Sequence, residues 1–271
     1  MDLSVVLPTY DERANLAPLC ARITEAVRGI RHEIIVVDDD SPDGTWREAE
    51  RLRARYPHLR VVRRVGERGL ASAVLRGLRE ARGRVLVAMD ADLQHDERIL
   101  PALVAHARDA DFVVASRTVA GGGFGRWSRR RRLASWGATV LARLIAGVSL
   151  SDPVSGFFAL RRETFTTLDD GTLRPEGFKI LLYLYLHARD RLGAEGLRIR
   201  EVGFVFRDRQ HGTSKLGAGV MWHYLRMLYR FRRPALLRPG TGSRLRPAPR
   251  RVDEHARPVG KRKGRGQGRE A

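Results

Sequence analysis

Apolar residues arrive in short runs through the first half of the chain, and longer stretches with helical spacing separate them. The runs cover residues 3–7, 33–37, 59–62, 85–89 and 111–115. They are rich in Val, Ile and Leu and predict strands. Residues 16–28, 45–55, 69–81 and 99–107 carry amphipathic patterns and predict helices. Strands alternating with helices of this length imply βαβ units and a mostly parallel sheet. Several runs are apolar throughout, as in strands covered on both faces. In such sheets ligands bind beyond the carboxyl ends of the strands.

Those ends carry the unusual residues. The first run leads into Pro8-Thr9-Tyr10-Asp11-Glu12. The second leads into Asp38-Asp39-Asp40-Ser41-Pro42-Asp43-Gly44-Thr45, and the fourth into Asp90-Ala91-Asp92-Leu93-Gln94-His95. Three acidic clusters on one rim need an answering cation or hydrogen-bond donors. Oxygen-rich, cysteine-free clusters suit Mg²⁺ or Mn²⁺, which bind through one or two carboxylates plus substrate phosphates. Asp90-Ala91-Asp92 puts two carboxylates on one side of an extended segment, with Gln94 as a further oxygen ligand. Asp-x-Asp alone is common in solvated loops; its place after an apolar strand is what marks it. Ser41-Pro42-Asp43-Gly44 has turn chemistry and Thr45 suits a helix cap, so a turn there presents the carboxylates. Gly66-Glu67-Arg68-Gly69 enters a helix without dinucleotide-binding spacing, and no Gly-Lys-Ser/Thr phosphate loop occurs. A hydride-transfer enzyme is excluded on that ground.

Composition narrows the class. With 43% apolar residues in 271, the chain has ample material for a packed core. The single cysteine, Cys20, excludes an intramolecular disulfide or a cysteine zinc site and fits a reducing compartment. No secretory leader is evident, and no segment has 18 uncharged apolar residues. The net charge is +20, of which residues 234–271 carry +8 in a Pro-, Gly- and Arg-rich stretch. That stretch reads as a disordered basic tail after a folded domain of residues 1–233. Such a tail suits nucleic acid or anionic lipid headgroups.

In this order the blocks resemble those of glycosyltransferase family 2 enzymes of the GT-A fold. Three further blocks sharpen the likeness toward the polyprenol (dolichol) monophosphate mannose synthases: Asp152-Pro153-Val154-Ser155-Gly156-Phe157, Gly177-Phe178-Lys179-Ile180-Leu181-Leu182, and Arg209-Gln210-His211-Gly212-Thr213-Ser214-Lys215-Leu216. The resemblance spans roughly residues 3–230. It implies a GT-A, Rossmann-like α/β fold with a donor half of about residues 1–118. An acceptor and membrane-facing half follows, about 119–233, with amphipathic helices toward its end. It implies that Pro8, Tyr10, Glu12, Val37 and Asp39 hold the nucleotide of GDP-mannose. Asp90, Ala91, Asp92 and Gln94 then match the metal and diphosphate segment, for Mg²⁺ or Mn²⁺. Arg117, Arg131 and Ser135 resemble positions that receive the acceptor phosphate. Lys179, Arg209 and Lys215 match basic residues near the phosphates. Asp92, Arg117, Arg209 and Lys215 are the residues it marks for catalysis.

The chemistry is consistent with this on its own terms. A sugar on a nucleoside diphosphate needs its leaving diphosphate neutralised. An acceptor phosphate monoester, with a second pKa near 6, is already nucleophilic at neutral pH. No strong general base is required; what the site needs is positive charge to gather a second phosphate beside the first. Attack opposite the diphosphate inverts the sugar and gives a β-mannosyl phosphate lipid.

Residues 127–147 and 221–233 mix arginines with Trp and aliphatic positions, a pattern for helices lying on a membrane surface. The expected location is the cytoplasmic face of the cell membrane, held peripherally, with a separate membrane-spanning partner allowed. Two departures from the family pattern stand out: Asp11 where Asn is usual, and Tyr183 where an acidic residue is common. A polyprenyl-phosphate glucosyltransferase using UDP-glucose is the nearest alternative. A nucleotidyltransferase also uses Asp pairs on such a sheet. A nucleic-acid-binding protein is disfavoured, because no recognition motif is present and the rim is acidic.

Overall fold

The computed structural model describes residues 1–175, 177–208 and 219–232, all within the unit Met1–Arg233. The strands are β1 (Leu3–Thr9), β2 (His32–Asp38), β3 (Leu59–Arg63), β4 (Val85–Ala88), β5 (Phe112–Ser116), β6 (Phe158–Arg161) and β7 (Ile199–Gly203). The helices are α1 (Arg13–Ala26), α2 (Thr45–Leu52), α3 (Leu70–Glu80), α4 (Leu100–His106), α5 (Arg129–Ala146), α6 (Arg162–Leu168), α7 (Ile180–Leu192) and α8 (Gly219–Arg230). The five expected strands and four expected helices of the first half all form. So do the two later helices, α5 and α8, within a few residues of their expected bounds. The basic tail lies outside the described residues.

The strands make one sheet in the order β3-β2-β1-β4-β6-β5-β7. All pairs are parallel except those of β6, which runs antiparallel between β4 and β5. Strand alternation then divides the core. Val6, Ile35, Val37, Leu86 and Val114 face one apolar cluster with α3, α5, α7 and α8. Val5, Leu7, Ile34, Val36 and Val87 face the other, with α1, α2 and α4. Both faces are covered, which is why the strands read as continuous apolar runs.

Strand order reverses at β1, whose neighbours are β2 and β4. That is the switch point where the loops on the carboxyl rim diverge and leave a crevice. Three non-glycine residues with positive φ mark this rim: Asp11 (54°), Asp40 (53°) and Leu93 (63°). Asp and Asn tolerate the left-handed region better than other side chains, so either serves at position 11. Leu93 has no such ease, and strain of this kind persists where the surroundings enforce it.

Candidate active site

The crevice is a cleft of about 770 Å³ beyond the carboxyl ends of β1, β2, β4 and β5. Pro8, Tyr10, Glu12 and Asp39 line one end, Asp90, Ala91, Asp92 and Gln94 the middle, and Arg117, Arg131 and Ser135 the other end, with Lys179 between. Thus twelve of the candidate residues named from the sequence share one cavity. Val37 does not line it; its side chain is fully buried under α3. Arg209 and Lys215 lie outside the described residues.

At the β1–β2 end the three consecutive aspartates have separate duties. Asp38 is fully buried and pins the turn, accepting from Thr9 Oγ1 at 2.8 Å, Ser41 Oγ at 2.6 Å and the Ser41 amide at 2.9 Å. Asp39 accepts from Arg64 Nε at 2.7 Å and from the Gly69 amide at 2.8 Å. Asp40 pairs with Arg63 at the surface. Of the two answers expected for an acidic cluster, a cation or hydrogen-bond donors, this one has the donors of the chain itself. Arg64 is buried and also bonds Ser72 Oγ and the Gly69 carbonyl, so it ties the Gly66–Gly69 loop to the β1–β2 end. From that loop the Arg68 guanidinium lies 4.7 Å from the Tyr10 ring centroid.

The middle segment is held from three sides. The Gln94 amide donates to Asp92 Oδ1 at 3.1 Å, closing the turn that forces Leu93 into positive φ. Gln94 Nε2 donates to the Arg207 carbonyl at 3.0 Å, and the Arg207 amide returns a bond to the Gln94 carbonyl at 2.8 Å. His95 Nδ1 accepts from the Asp90 amide at 3.0 Å while its Nε2 lies 3.7 Å from Asp90 Oδ2. On the far side Gly156 leaves room for the same carboxylate: a Cβ there would stand 3.1 Å from Asp90 Oδ2.

The arginine end is built on a buried ion pair. Arg117 donates through Nε and Nη2 to the two Asp152 carboxylate oxygens, both at 2.7 Å, and its amide reaches the same group at 3.2 Å. Asp152 is 2% exposed. Ser128 caps α5 by accepting from the Arg131 amide at 3.3 Å, which aims the first turn of that helix into the cleft. Lys179 Nζ lies 3.5 Å from the Val154 carbonyl, and burial, with Arg117 nearby, pushes its pKa down to about 8.

Burial pushes His95 down to about 4, and its stacking on Phe157 (centroids 5.0 Å apart) leaves no room for hydration of an imidazolium. The folded state holds His95 neutral where the unfolded chain protonates it, so stability is lost as pH falls below the unfolded value near 6.5. Between pH 7 and pH 5 this group alone lowers stability by about 2 kcal/mol. Urea denaturation at both pH values checks it, with the pH difference shrinking in His95→Gln.

A model of the family described as Glycosyl transferase family 2 matches residues 4–168. The chain belongs to glycosyl transferase family 2. Among family members, a dolichol-phosphate mannosyltransferase from Pyrococcus furiosus is 43% identical, over 85% of this chain and 63% of its own. The chain thus spans less than two thirds of that relative. One of the same name from Saccharomyces cerevisiae is 37% identical over 84% of this chain and 86% of its own. An undecaprenyl-phosphate mannosyltransferase from Micrococcus luteus is 34% identical over 82% and 90%. Among solved structures, glucosyl-3-phosphoglycerate synthase from Mycobacterium tuberculosis, in complex with Mn²⁺, UDP-glucose and glycerol 3-phosphate, superposes with a TM-score of 0.60. It is 26% identical over 84% of this chain and 80% of that one. The fold of this family 2 chain is GT-A-like, as the resemblance implied.

Four residues escaped the sequence reading as participants: Arg64, His95, Trp127 and Asp152. His95 and Asp152 stood inside matched blocks without a role. Arg64 and Trp127 were two among many arginines and aromatics, and only their distant partners distinguish them. Tyr183, the second departure from the family pattern, lies outside the cleft: it is buried on α7, accepts from the Arg174 amide at 3.0 Å and packs on His187.

Proposed function

We propose that this chain is an inverting mannosyltransferase that moves mannose from GDP-mannose to the phosphate of a polyprenyl, dolichyl-type lipid. The observation that carries the reading is a single cleft with two carboxylates, Asp90 and Asp92, in its middle and two arginines, Arg117 and Arg131, at one end. That charge order fits a donor diphosphate followed by an acceptor phosphate. The names of the mannosyltransferase relatives supply the sugar and the lipid class.

The residues fit a divalent cation. No group of three or more His, Cys, Asp or Glu that could hold a metal occurs among the described residues. Two carboxylates with Gln94 Oε1 are the partial set that Mg²⁺ or Mn²⁺ completes with substrate phosphates. Asp90 and Asp92 would hold such an ion, which when bound neutralises the departing diphosphate. The Mn²⁺ in the glucosyl-3-phosphoglycerate synthase complex supports the same chemistry.

The chain's own residues do the rest. Tyr10, Glu12 and Asp39 bind the nucleoside end. Arg117, Arg131 and Ser135 gather the acceptor, whose dianionic phosphate needs no base at neutral pH. One acceptor oxygen attacks the anomeric carbon, the bond from that carbon to the diphosphate oxygen breaks, and GDP leaves with the electron pair. Lys179, between the two ends, supplies positive charge to either phosphate.

The protein also has a face for the lipid. Leu133, Trp136 and Leu144 stand exposed along one side of α5, among Arg129, Arg130, Arg132 and Arg143. Trp222, Leu225 and Tyr229 do the same on α8, three and four residues apart. Tyr224 Oη donates to the Ala138 carbonyl at 2.5 Å and locks the helices together. Among the described residues no helix is long and apolar enough to cross a membrane. Surface docking on the cytoplasmic leaflet is the proposed arrangement. Replacing Trp136 and Trp222 together by Glu is expected to lower co-sedimentation with anionic vesicles by about tenfold or more.

The function is tested by incubating the protein with labelled GDP-mannose or UDP-glucose, a polyprenyl phosphate and Mg²⁺ or Mn²⁺. Label from GDP-mannose in the lipid extract is the expected result. Label from UDP-glucose alone would overturn the donor, and none from either would overturn the reading.

A further inference from the structure

Two like-charged guanidinium groups border the same two aromatic rings at the arginine end of the cleft. Arg117 Cζ stands 4.9 Å from the Trp127 ring centroid and 5.7 Å from that of Phe206. Arg131 Cζ stands 3.7 Å and 5.8 Å from the same two rings. The rings themselves meet edge to face, 5.2 Å apart. Like charges on one wall of a cleft repel, and such an arrangement is eased where something answers them.

Two groups answer. Asp152 takes the Nε and Nη2 edge of Arg117 as a fork, which fixes the guanidinium plane as well as neutralising it. Trp127 turns its π face to both cations, and the negative face of an indole attracts a cation electrostatically. The fork leaves Nη1 as the Arg117 nitrogen outside the Asp152 pair. A second donor lies in the same wall: Trp127 Nε1 is buried and makes no hydrogen bond among the described residues. A buried donor without a partner is rare and calls for a ligand or water.

We propose that Trp127 and Asp152 are positioning residues that hold Arg117 and Arg131 as a two-guanidinium clamp for a phosphate monoester. The identity of that monoester as a polyprenyl phosphate rests on the function proposed above. The clamp explains how a site keeps two arginines converged before its anion arrives. Asp152 reaches Arg117 across 35 residues of chain, from the turn that also supplies Gly156 beside Asp90.

The test uses the full chain and farnesyl phosphate, a short soluble polyprenyl phosphate, with binding read by isothermal titration calorimetry. GDP with Mg²⁺ serves as the donor-side probe. Trp127→Leu keeps an apolar side chain but loses the π face, and is expected to weaken farnesyl phosphate about tenfold or more. Trp127→Phe keeps a π face but loses the Nε1–H donor, and is expected to recover only part of the affinity lost in Trp127→Leu. Asp152→Asn is expected to weaken farnesyl phosphate about tenfold. GDP affinity stays within about twofold throughout, as for sites that do not couple. Unchanged farnesyl phosphate affinity in Trp127→Leu, or equal loss of GDP, overturns the clamp; should that variant not fold, Asp152→Asn decides by the same criteria. A parent protein that binds farnesyl phosphate yet transfers no mannose would refute the proposed reaction and leave the clamp standing. One that transfers mannose while the variants bind normally would refute the clamp alone. A parent that does not bind farnesyl phosphate overturns both.

Discussion

Asp92→Asn is expected to cut transfer by about 100- to 1000-fold, the scale seen when a group that stabilises developing charge is lost. The substitution is chosen to remove charge and little else. Asp92 Oδ1 accepts the Gln94 amide, and an asparagine oxygen accepts it as well, so the turn at Leu93 keeps its closing bond. The side chain is 7% exposed and its volume is conserved, so the cavity wall stays in place. The loss therefore falls on the diphosphate. A second readout separates this from misfolding: the parent's melting temperature should rise when Mn²⁺ and GDP are added together, by mass action on the folded state. In Asp92→Asn that rise should vanish while the melting temperature without additions stays close to the parent's. Full transfer in the variant, or an undiminished Mn²⁺ response, would remove Asp92 from the metal and diphosphate segment.

Arg117→Met carries the second large effect, and it falls on stability and activity together. The substitution leaves the Asp152 carboxylate 2% exposed and facing a thioether instead of a guanidinium fork. Breaking a buried pair by removing one partner costs about 3–5 kcal/mol, because the remaining charge has lost both water and partner. Urea denaturation at pH 7 should show that loss. The double variant Arg117→Met with Asp152→Asn should recover most of it, since a neutral amide no longer needs a countercharge and still accepts the position 117 amide. Transfer should stay lost in both. Recovery of stability without recovery of transfer separates the arginine's electrostatic duty to the fold from the acceptor role proposed for it. If the single variant is as stable as the parent, the ion pair is not the structural element described above.

The sequence was most readable where its pattern is local. β1 to β5 announce themselves because each is an apolar run followed by turn chemistry, and Asp90 and Asp92 are legible because they end such a run. β6 was missed because Phe158–Arg161 is four residues long and follows a loop with no alternation to mark a strand. α7 was missed for the opposite reason. Ile180–Leu192 is buried on nearly every side, so no polar stripe gives the helix period away. β7 carries two charged residues in five and reads as surface. Within the site, side-chain types were legible and partnerships were not. The bond between Arg117 and Asp152 joins residues 35 apart, and that between Asp39 and Arg64 joins residues 25 apart. Nothing in a local window says which of many arginines a given aspartate will meet. For the same reason the sequence left open whether a cation or hydrogen-bond donors answer the aspartates at 38 to 40, and the donors come from Thr9, Arg64 and Arg63.

The antiparallel strand β6 has a consequence for any attempt to build chimeras from this scaffold. Phe158 pairs with Ala88 of β4 on one side and with Val114 of β5 on the other. The chain enters β6 at the rim where β4 and β5 end, directly after the turn whose Asp152 pairs with Arg117 and whose Gly156 lies beside Asp90. A strand from the later part of the sequence is thus a central plank of the earlier part's sheet. Exchanging residues 1–118 between relatives to alter the nucleotide sugar would leave β6 matched to foreign neighbours on both edges, with a one-residue slip turning Phe158 to the wrong face. The two ends of the cleft form one inseparable unit, and redesign of either belongs in the loops beyond the strand ends.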